Sequence, residues 1–197
     1  MSSSPASLET QKATLRATAL AARDALSSEH RAAAAEALAL RGLPFEIMPG
    51  TIVAGYSPIR SEIDPTSLMQ KLAAQGARLA LPAITAGDQP LKFRAWSPGD
   101  GLQRGRLGIL EPSPDAPEMI PDILLVPLAA FDRSGHRIGY GAGHYDRTLQ
   151  QLRKMKTITA IGVAFAAQEV EAVPALLHDA ALDFVLTETQ VLDFRSS

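Results

Sequence analysis

The sequence predicts an α/β protein: a three-layer, mainly parallel, Rossmann-like open sheet with helices on both faces. Two observations carry that expectation. The strand-like runs at 51–56, 122–126 and 158–164 are apolar without in/out alternation, as strands buried on both faces must be. Between such runs lie helix-forming stretches with recognisable caps, the pattern of crossover helices on a parallel sheet. The 197 residues suit one domain spanning 1–197, with 1–7 expected to be disordered.

Taken in order, residues 8–26 form the first helix, dense in Ala and Leu and free of Gly and Pro. Ser27 supplies an N-cap for a second helix reaching about Arg41, and Gly42 stands where a positive-φ C-terminal residue belongs. Pro44 and Pro49 frame a connector to the strand over 51–56. Asp64-Pro65 matches an N-cap followed by proline in the first helical turn, and Gly76 closes that helix. A strand over 77–81 is expected to stop at Pro82. Gly87-Asp88 signals a turn before a strand over 91–96.

Residues 97–121 hold five of the fourteen prolines and are expected to be loop. The run 122–126 is the candidate central strand. A Gly-bearing loop over 127–143 leads to a helix over 144–154, and strands follow at 158–164 and 183–187. Ligands of such sheets sit beyond the carboxyl ends of the strands, which nominates the segments starting at Tyr56, Pro127 and Ala164.

Composition narrows the function. Nineteen basic and twenty-one acidic residues give a net charge of −2, which argues against a dedicated nucleic-acid or anionic-membrane binder. Without cysteine, thiol nucleophiles, zinc–thiolate sites and iron–sulfur clusters are excluded. No apolar run approaches the roughly 18 residues of a membrane span, and no secretory signal opens the chain. A cytoplasmic monomer acting on small molecules is expected. The four histidines are scattered, without metal-ligand spacing.

The segment from Phe131 to Arg147 is the richest in chemistry. Gly139, Gly141 and Gly143 bare the backbone at alternate positions, so N–H groups can approach an anion closely. The loop runs into a helix start, which adds unpaired donors and a positive dipole end. Arg137 and Arg147 flank it, and Asp146 suits a hard cation such as Mg²⁺. These are the parts of a nucleotide-phosphate site, although neither the Walker A pattern nor the dinucleotide fingerprint is present.

On the first helix, at about 100° per residue, Lys12, Arg16 and Arg23 project within roughly 40° beside the stripe Leu8, Leu15, Ala19 and Leu26. Such cations either snorkel along the core edge or lean over a phosphate site formed elsewhere. After the first strand, Tyr56-Ser-Pro-Ile-Arg-Ser-Glu62 offers a ring surface and a carboxylate; a solvated surface loop is the other reading. Trp96, beside Arg94, suits packing more than ligand binding. Asp179 stands alone in a turn, and His144 is either a ligand contact or a helix-start residue bonded to its neighbours.

Together these segments make the chain similar to the 5-formyltetrahydrofolate cyclo-ligase family. The resemblance rests on Lys12-x-x-x-Arg16, Tyr56-Ser-Pro-Ile-Arg-Ser-Glu-Ile63, Leu91-x-Phe-Arg-x-Trp-x-Pro-Gly-Asp100, Gly105-x-x-Gly-Ile-x-Glu-Pro112, Asp122-Ile-Leu-Leu-Val-Pro127, Ile161-Gly-Val-Ala-Phe165 with Gln168, and above all the Gly-rich loop. It implies an ATP- and Mg²⁺-dependent enzyme converting 5-formyltetrahydrofolate to 5,10-methenyltetrahydrofolate with release of ADP and phosphate. By position it assigns ATP to Lys12, Arg16, Arg137, Gly139, Tyr140, Gly141, Ala142, Gly143, His144 and Tyr145, with Arg137 and Lys12 as the catalytic cations. It assigns the reduced folate to Tyr56, Ser57, Glu62 and the stretch from Tyr140 to His144, and the metal to Asp146 and Asp179. The family commonly carries Tyr-Tyr-Asp where this chain has His144-Tyr145-Asp146, which keeps an aromatic plane but loses a phenol hydroxyl. A non-catalytic nucleotide or sugar-phosphate module, or an ATP-dependent enzyme acting on another pterin, would use a similar loop.

Overall fold

The computed structural model describes residues 5–85, 89–105, 108–174 and 179–195; the Gly87-Asp88 turn and His178 lie outside them. Helix α1 runs over Pro5–Asp24, so the helix starts within the stretch expected to be disordered, and residues 1–4 are not described. Helix α2 (Ser28–Arg41) starts as the sequence specifies: the Ser27 side chain accepts from the His30 N–H, and Gly42, at φ 75°, closes the helix by donating to the Leu38 carbonyl. Helix α3 (Thr66–Ala74) opens one residue later than expected, with Asp64 Oδ1 accepting from the Thr66 N–H. Helix α4 spans His144–Met155.

The main sheet is built from β1 (Ile52–Ala54), β2 (Arg78–Ala83), β3 (Lys92–Ala95), β6 (Glu118–Met119), β7 (Ile123–Pro127), β10 (Thr159–Val163), β11 (Phe184–Leu186) and β12 (Val191–Asp193). Their order is β12-β11-β10-β7-β1-β2-β3-β6. The five inner strands from β11 to β2 are mutually parallel, while β12 and β3 pair antiparallel with their neighbours. From β1 the chain winds first toward β2 and later, through β7, in the opposite direction. The reversal falls between β1 and β7, where such sheets open a crevice at their carboxyl ends.

Burial on both faces explains the continuous apolar runs. In β7, Ile123 and Leu125 join the core under α2 and α3, whereas Leu124 and Val126 join the core under α4. In β1, Val53 and Ala54 divide in the same way. The expected three layers result: α2 and α3 on one side, the sheet, and α4 on the other. Helix α1 lies apart from both cores, against the 3₁₀ turn Ala166–Gln168 and the short strand β8 (Ala130–Phe131).

Four local expectations are corrected. Strand β2 does not stop at Pro82 but continues to Ala83. Leu79 O accepts from Trp96 N–H on the β3 side and Ala80 O from Gly55 N–H on the β1 side, so the Pro82 nitrogen faces the side where β1 has already ended. No ladder bond is lost there. Residues 97–121 are not all loop: β4 (Leu102–Arg104) and β5 (Leu110–Pro112) form a two-stranded ribbon, and β6 extends the sheet edge. The loop over 127–143 contains a tight hairpin of β8 with β9 (Arg137–Ile138). Finally, β11 is not the last strand, because β12 folds back on it. Short edge strands of this kind lack the apolar run that flags a buried strand.

Candidate active site

A cavity of about 450 Å³ opens beyond the carboxyl ends of β1, β2 and β7, where Tyr56, Pro82 and Pro127 line it. All fifteen residues nominated from the sequence line this one cavity: Lys12, Arg16, Tyr56, Ser57, Glu62, Arg137, the run from Gly139 through Asp146, and Asp179. The third nominated segment, after Ala164, does not line it. There Gln168 is buried and donates to the carbonyls of Leu128 (2.7 Å) and Ala129 (3.0 Å), fixing the exit of β7.

At one end, cations and carboxylates alternate. Lys12, only 7% exposed, reaches from α1 to place Nζ 2.6 Å from Asp179 Oδ2. Arg137, also 7% exposed, sets Nη2 2.7 Å from Asp146 Oδ1 and donates through Nη1 to the Ala180 carbonyl. The Ala180 N–H returns to Asp146 Oδ1 at 3.2 Å. Burial lowers the Arg137 pKa, and Asp146 works against that shift. Each buried cation therefore has an adjacent carboxylate, which offsets the desolvation cost that an unpaired one would carry. The residues expected to grip phosphate and those expected to hold a metal are each other's partners here. Among the described residues no cluster of three or more His, Asp or Glu is poised for a metal.

The Gly-rich loop is shaped by guanidinium groups. Arg16 Nε donates to Gly139 O at 2.7 Å, and a Cβ on Gly141 would sit 3.6 Å from Arg16 Cζ. Gly141 and Gly143 adopt φ of 95° and 65°, so both need the freedom of glycine. Arg147 folds back to donate to Ala142 O at 2.7 Å and would lie 2.7 Å from a Cβ at Gly143. Arg147 thus clasps the loop from its own helix. His144 begins α4, and its carbonyl accepts from Thr148 Oγ1 at 2.7 Å.

The other end carries fewer charges. Two of its three nominated polar groups are committed to the protein: Tyr56 donates to Ile63 O and Ser57 to Leu110 O, each at 2.7 Å. Glu62 differs. It is 9% exposed, its Oε2 accepts from Ile59 N–H at 2.8 Å, and its buried Oε1 has no hydrogen-bond partner. Arg60, at φ 55°, winds this loop so that Glu62 turns inward. Burial pushes the Glu62 carboxyl above its ordinary range, and the Ile59 amide, the Tyr140 phenol and Arg23 only partly counter it. A carboxyl with a raised folded-state pKa stabilises the fold while protonated, and that contribution is lost as pH rises through the raised value. Glu62→Gln stays neutral, so its Tm should gain on the wild-type Tm as pH rises above the ordinary glutamate range. Parallel Tm-versus-pH curves would contradict the assignment.

Sequence reasoning missed two residues near this end. Glu111, buried on β5, lines the cavity and accepts from Ile84 N–H at 3.1 Å. A Cβ at Gly105 would lie 2.1 Å from the Glu111 carboxyl carbon, so the ribbon turn needs glycine to pass over it. The motif Gly105-x-x-Gly-Ile-x-Glu-Pro112 held the signal, but only the ribbon turns Glu111 inward. Arg23 was placed on the correct helical arc, yet its burial at 1% exposure was not foreseen. Trp96 packs against the core under α2 and α3, as expected of a packing residue.

Comparison with known proteins agrees with this geometry. Residues 8–188 match the model of the 5-formyltetrahydrofolate cyclo-ligase family. The chain is 33% identical over 180 residues to the 5-formyltetrahydrofolate cyclo-ligase of Escherichia coli (strain K12), covering 87% of this chain and 97% of that one. It is 39% identical over 161 residues to the Mycolicibacterium smegmatis cyclo-ligase, covering 77% and 81%. The NMR structure of Aquifex aeolicus 5,10-methenyltetrahydrofolate synthetase superposes with a TM-score of 0.77 at 32% identity, over 94% of each chain. These likenesses favour a ligase over a non-catalytic sensor, and the chain belongs to the 5-formyltetrahydrofolate cyclo-ligase family.

Proposed function

We propose that this cleft binds 5-formyltetrahydrofolate next to ATP and closes the folate ring in an ATP-dependent step. The observation that carries the reading is the division of one cavity into a charged end, with Lys12, Arg16, Arg137, Asp146 and Asp179, and a less charged end where Glu62 Oε1 is buried without a hydrogen-bond partner. A triphosphate fits the first: its oxygens would take Lys12 and Arg137 from their carboxylates, and the Gly139–Tyr145 backbone would receive the remainder. The reduced folate fits the second, with Glu62 accepting from the substrate's ring N–H groups.

The chemistry explains why such a site suffices. A formamide carbon is a poor electrophile and its oxygen a poor leaving group. Transfer of the γ-phosphoryl group to the formyl oxygen converts it into one. The neighbouring nitrogen then attacks the formyl carbon, the C–O bond breaks, inorganic phosphate departs with that oxygen, and the attacking nitrogen loses its proton. Lys12 and Arg137 stabilise charge on the transferring group, and the loop aligns it. No side-chain nucleophile is needed. The carboxylate oxygens of Asp146 and Asp179 suit Mg²⁺, which when bound would offset charge on the phosphate oxygens.

Action as a monomer in the cytoplasm is part of the same proposal, and the absence of cysteine agrees with a cytoplasmic setting. Among the described residues no helix is long and apolar enough to cross a membrane. One assay tests the reading. Near-ultraviolet absorbance of the methenyl product and release of ADP should both require 5-formyltetrahydrofolate and ATP together. Phosphate release without the folate, or indifference to it, would move the activity to another pterin.

A further inference from the structure

We propose that Arg23 is the positioning residue of the folate half of the cleft, holding the Tyr140 ring and the Glu62 loop in one fixed relation from behind the cavity wall. This rests on the reading that Glu62 and Tyr140 meet the folate. Arg23 does not line the cavity. It sits at the last turn of α1, at 1% exposure. Its Nε donates to Ser61 Oγ at 3.0 Å, next to Glu62, and its Nη1 donates to the Tyr140 hydroxyl. The Arg23 Cζ also lies 5.6 Å from the Tyr140 ring centroid. Ser61 Oγ in turn donates a hydrogen bond to Asp24 Oδ1, so the bolt is anchored at both ends to α1.

The need for such a bolt follows from topology. Glu62 sits on the loop after β1 and Tyr140 on the loop after β9, two segments that share no strand pairing. The Tyr140 phenol and the Glu62 carboxyl also act on each other directly. Arg23, bonded from α1 to Ser61 and to Tyr140, ties the two loops together from behind the cavity wall. A guanidinium is suited to this, because its planar fork bonds two partners in set directions, whereas a lysine ammonium is a single point charge. Its burial at 1% exposure is hard to justify as edge snorkelling, which leaves the head group in water.

Four variants test the role: Arg23→Met, Arg23→Lys, Ser61→Ala and Tyr140→Phe, with Glu62→Gln as reference. Affinity for 5-formyltetrahydrofolate is read calorimetrically without ATP, and KM is measured for both substrates. Arg23→Met is expected to weaken folate affinity about tenfold, the effect of losing a charge-assisted contact, while the KM for ATP stays within about twofold. Arg23→Lys should recover only part of the loss. The pair Arg23→Met with Tyr140→Phe should be clearly less than additive, because both remove the same linkage. Should Arg23→Met fail to fold, Arg23→Lys and Ser61→Ala carry the same comparison. Equal rises in both KM values, or full additivity, would overturn the positioning role. If Tyr140→Phe and Glu62→Gln leave folate affinity unchanged, the assignment of the folate end fails instead. If they lower it while the Arg23 variants do not, only the role of Arg23 fails.

Discussion

Arg137→Ala is expected to lower kcat by about a thousandfold, in the range seen when a cation that stabilises a transferring phosphoryl group is removed. Three features of this arginine lead to that size. It is buried, so its charge acts through a medium less polar than water. Its orientation is fixed by Asp146 and the Ala180 carbonyl. It stands at the start of the Gly-rich loop, on β9, so it cannot be replaced by another side chain from the same element. The fold should survive with a loss of about 3 kcal/mol, typical of breaking a buried ion pair, because Asp146 keeps the Ala180 N–H and partial access to water. Turnover by product absorbance, with thermal unfolding on the same sample, separates the two effects. A folded variant that turns over normally would remove Arg137 from the reacting centre.

Asp146→Asn is expected to cost about a hundredfold in turnover and to shift the Mg²⁺ dependence to higher concentration, since an amide keeps the shape but gives up the charge that a hard cation prefers. Asparagine can still accept from Arg137 and from Ala180 N–H but leaves the buried guanidinium without its counter-charge, so stability should fall by up to about 3 kcal/mol with the fold retained. The substitution also releases Arg137 from a charged partner. If Asp146 served only to hold Arg137, nucleotide binding without metal would tighten while the Mg²⁺ dependence of turnover stayed put. A shifted metal dependence in a folded variant is the outcome that assigns Asp146 to the cation. Nucleotide affinity by calorimetry with and without Mg²⁺, alongside turnover, distinguishes these cases.

The parts of the site that could be read in advance share one property: they sit in local sequence. The Gly-rich loop announces itself because Gly141 and Gly143 must take positive φ, and the helix that follows carries Asp146 in its first turn. Strands β1, β7 and β10 were legible because burial on both faces leaves them apolar apart from Thr159 at the start of β10. The ribbon of β4 and β5 was not legible, because its few residues are neither continuously apolar nor strictly alternating. It was this ribbon that brought Glu111 to the cavity. Pro82 misled for a similar reason: whether a proline ends a strand depends on which neighbour its nitrogen faces, and that is set by where β1 stops.

The charged stripe of α1 shows where local reasoning ends. Helical periodicity placed Lys12, Arg16 and Arg23 on one arc but could not separate a core edge from a ligand site. The fold separated them, taking Lys12 to Asp179, Arg16 to the Gly139 carbonyl and Arg23 to Tyr140 and Ser61. The sequence by itself determined the layered architecture, since backbone preference, apolar patterning and loop chemistry are written within a few neighbouring positions. The family and the set of site residues came from the resemblance its motifs carry, while the residues alone left Lys12, Glu62 and Asp179 open. Only the tertiary structure decided which cation faces which carboxylate, and that Glu62 Oε1 is left open. Lys12 and Asp179 meet across 167 residues and Arg137 and Asp146 across 9, each pair selected by the cost of burying a charge without a partner.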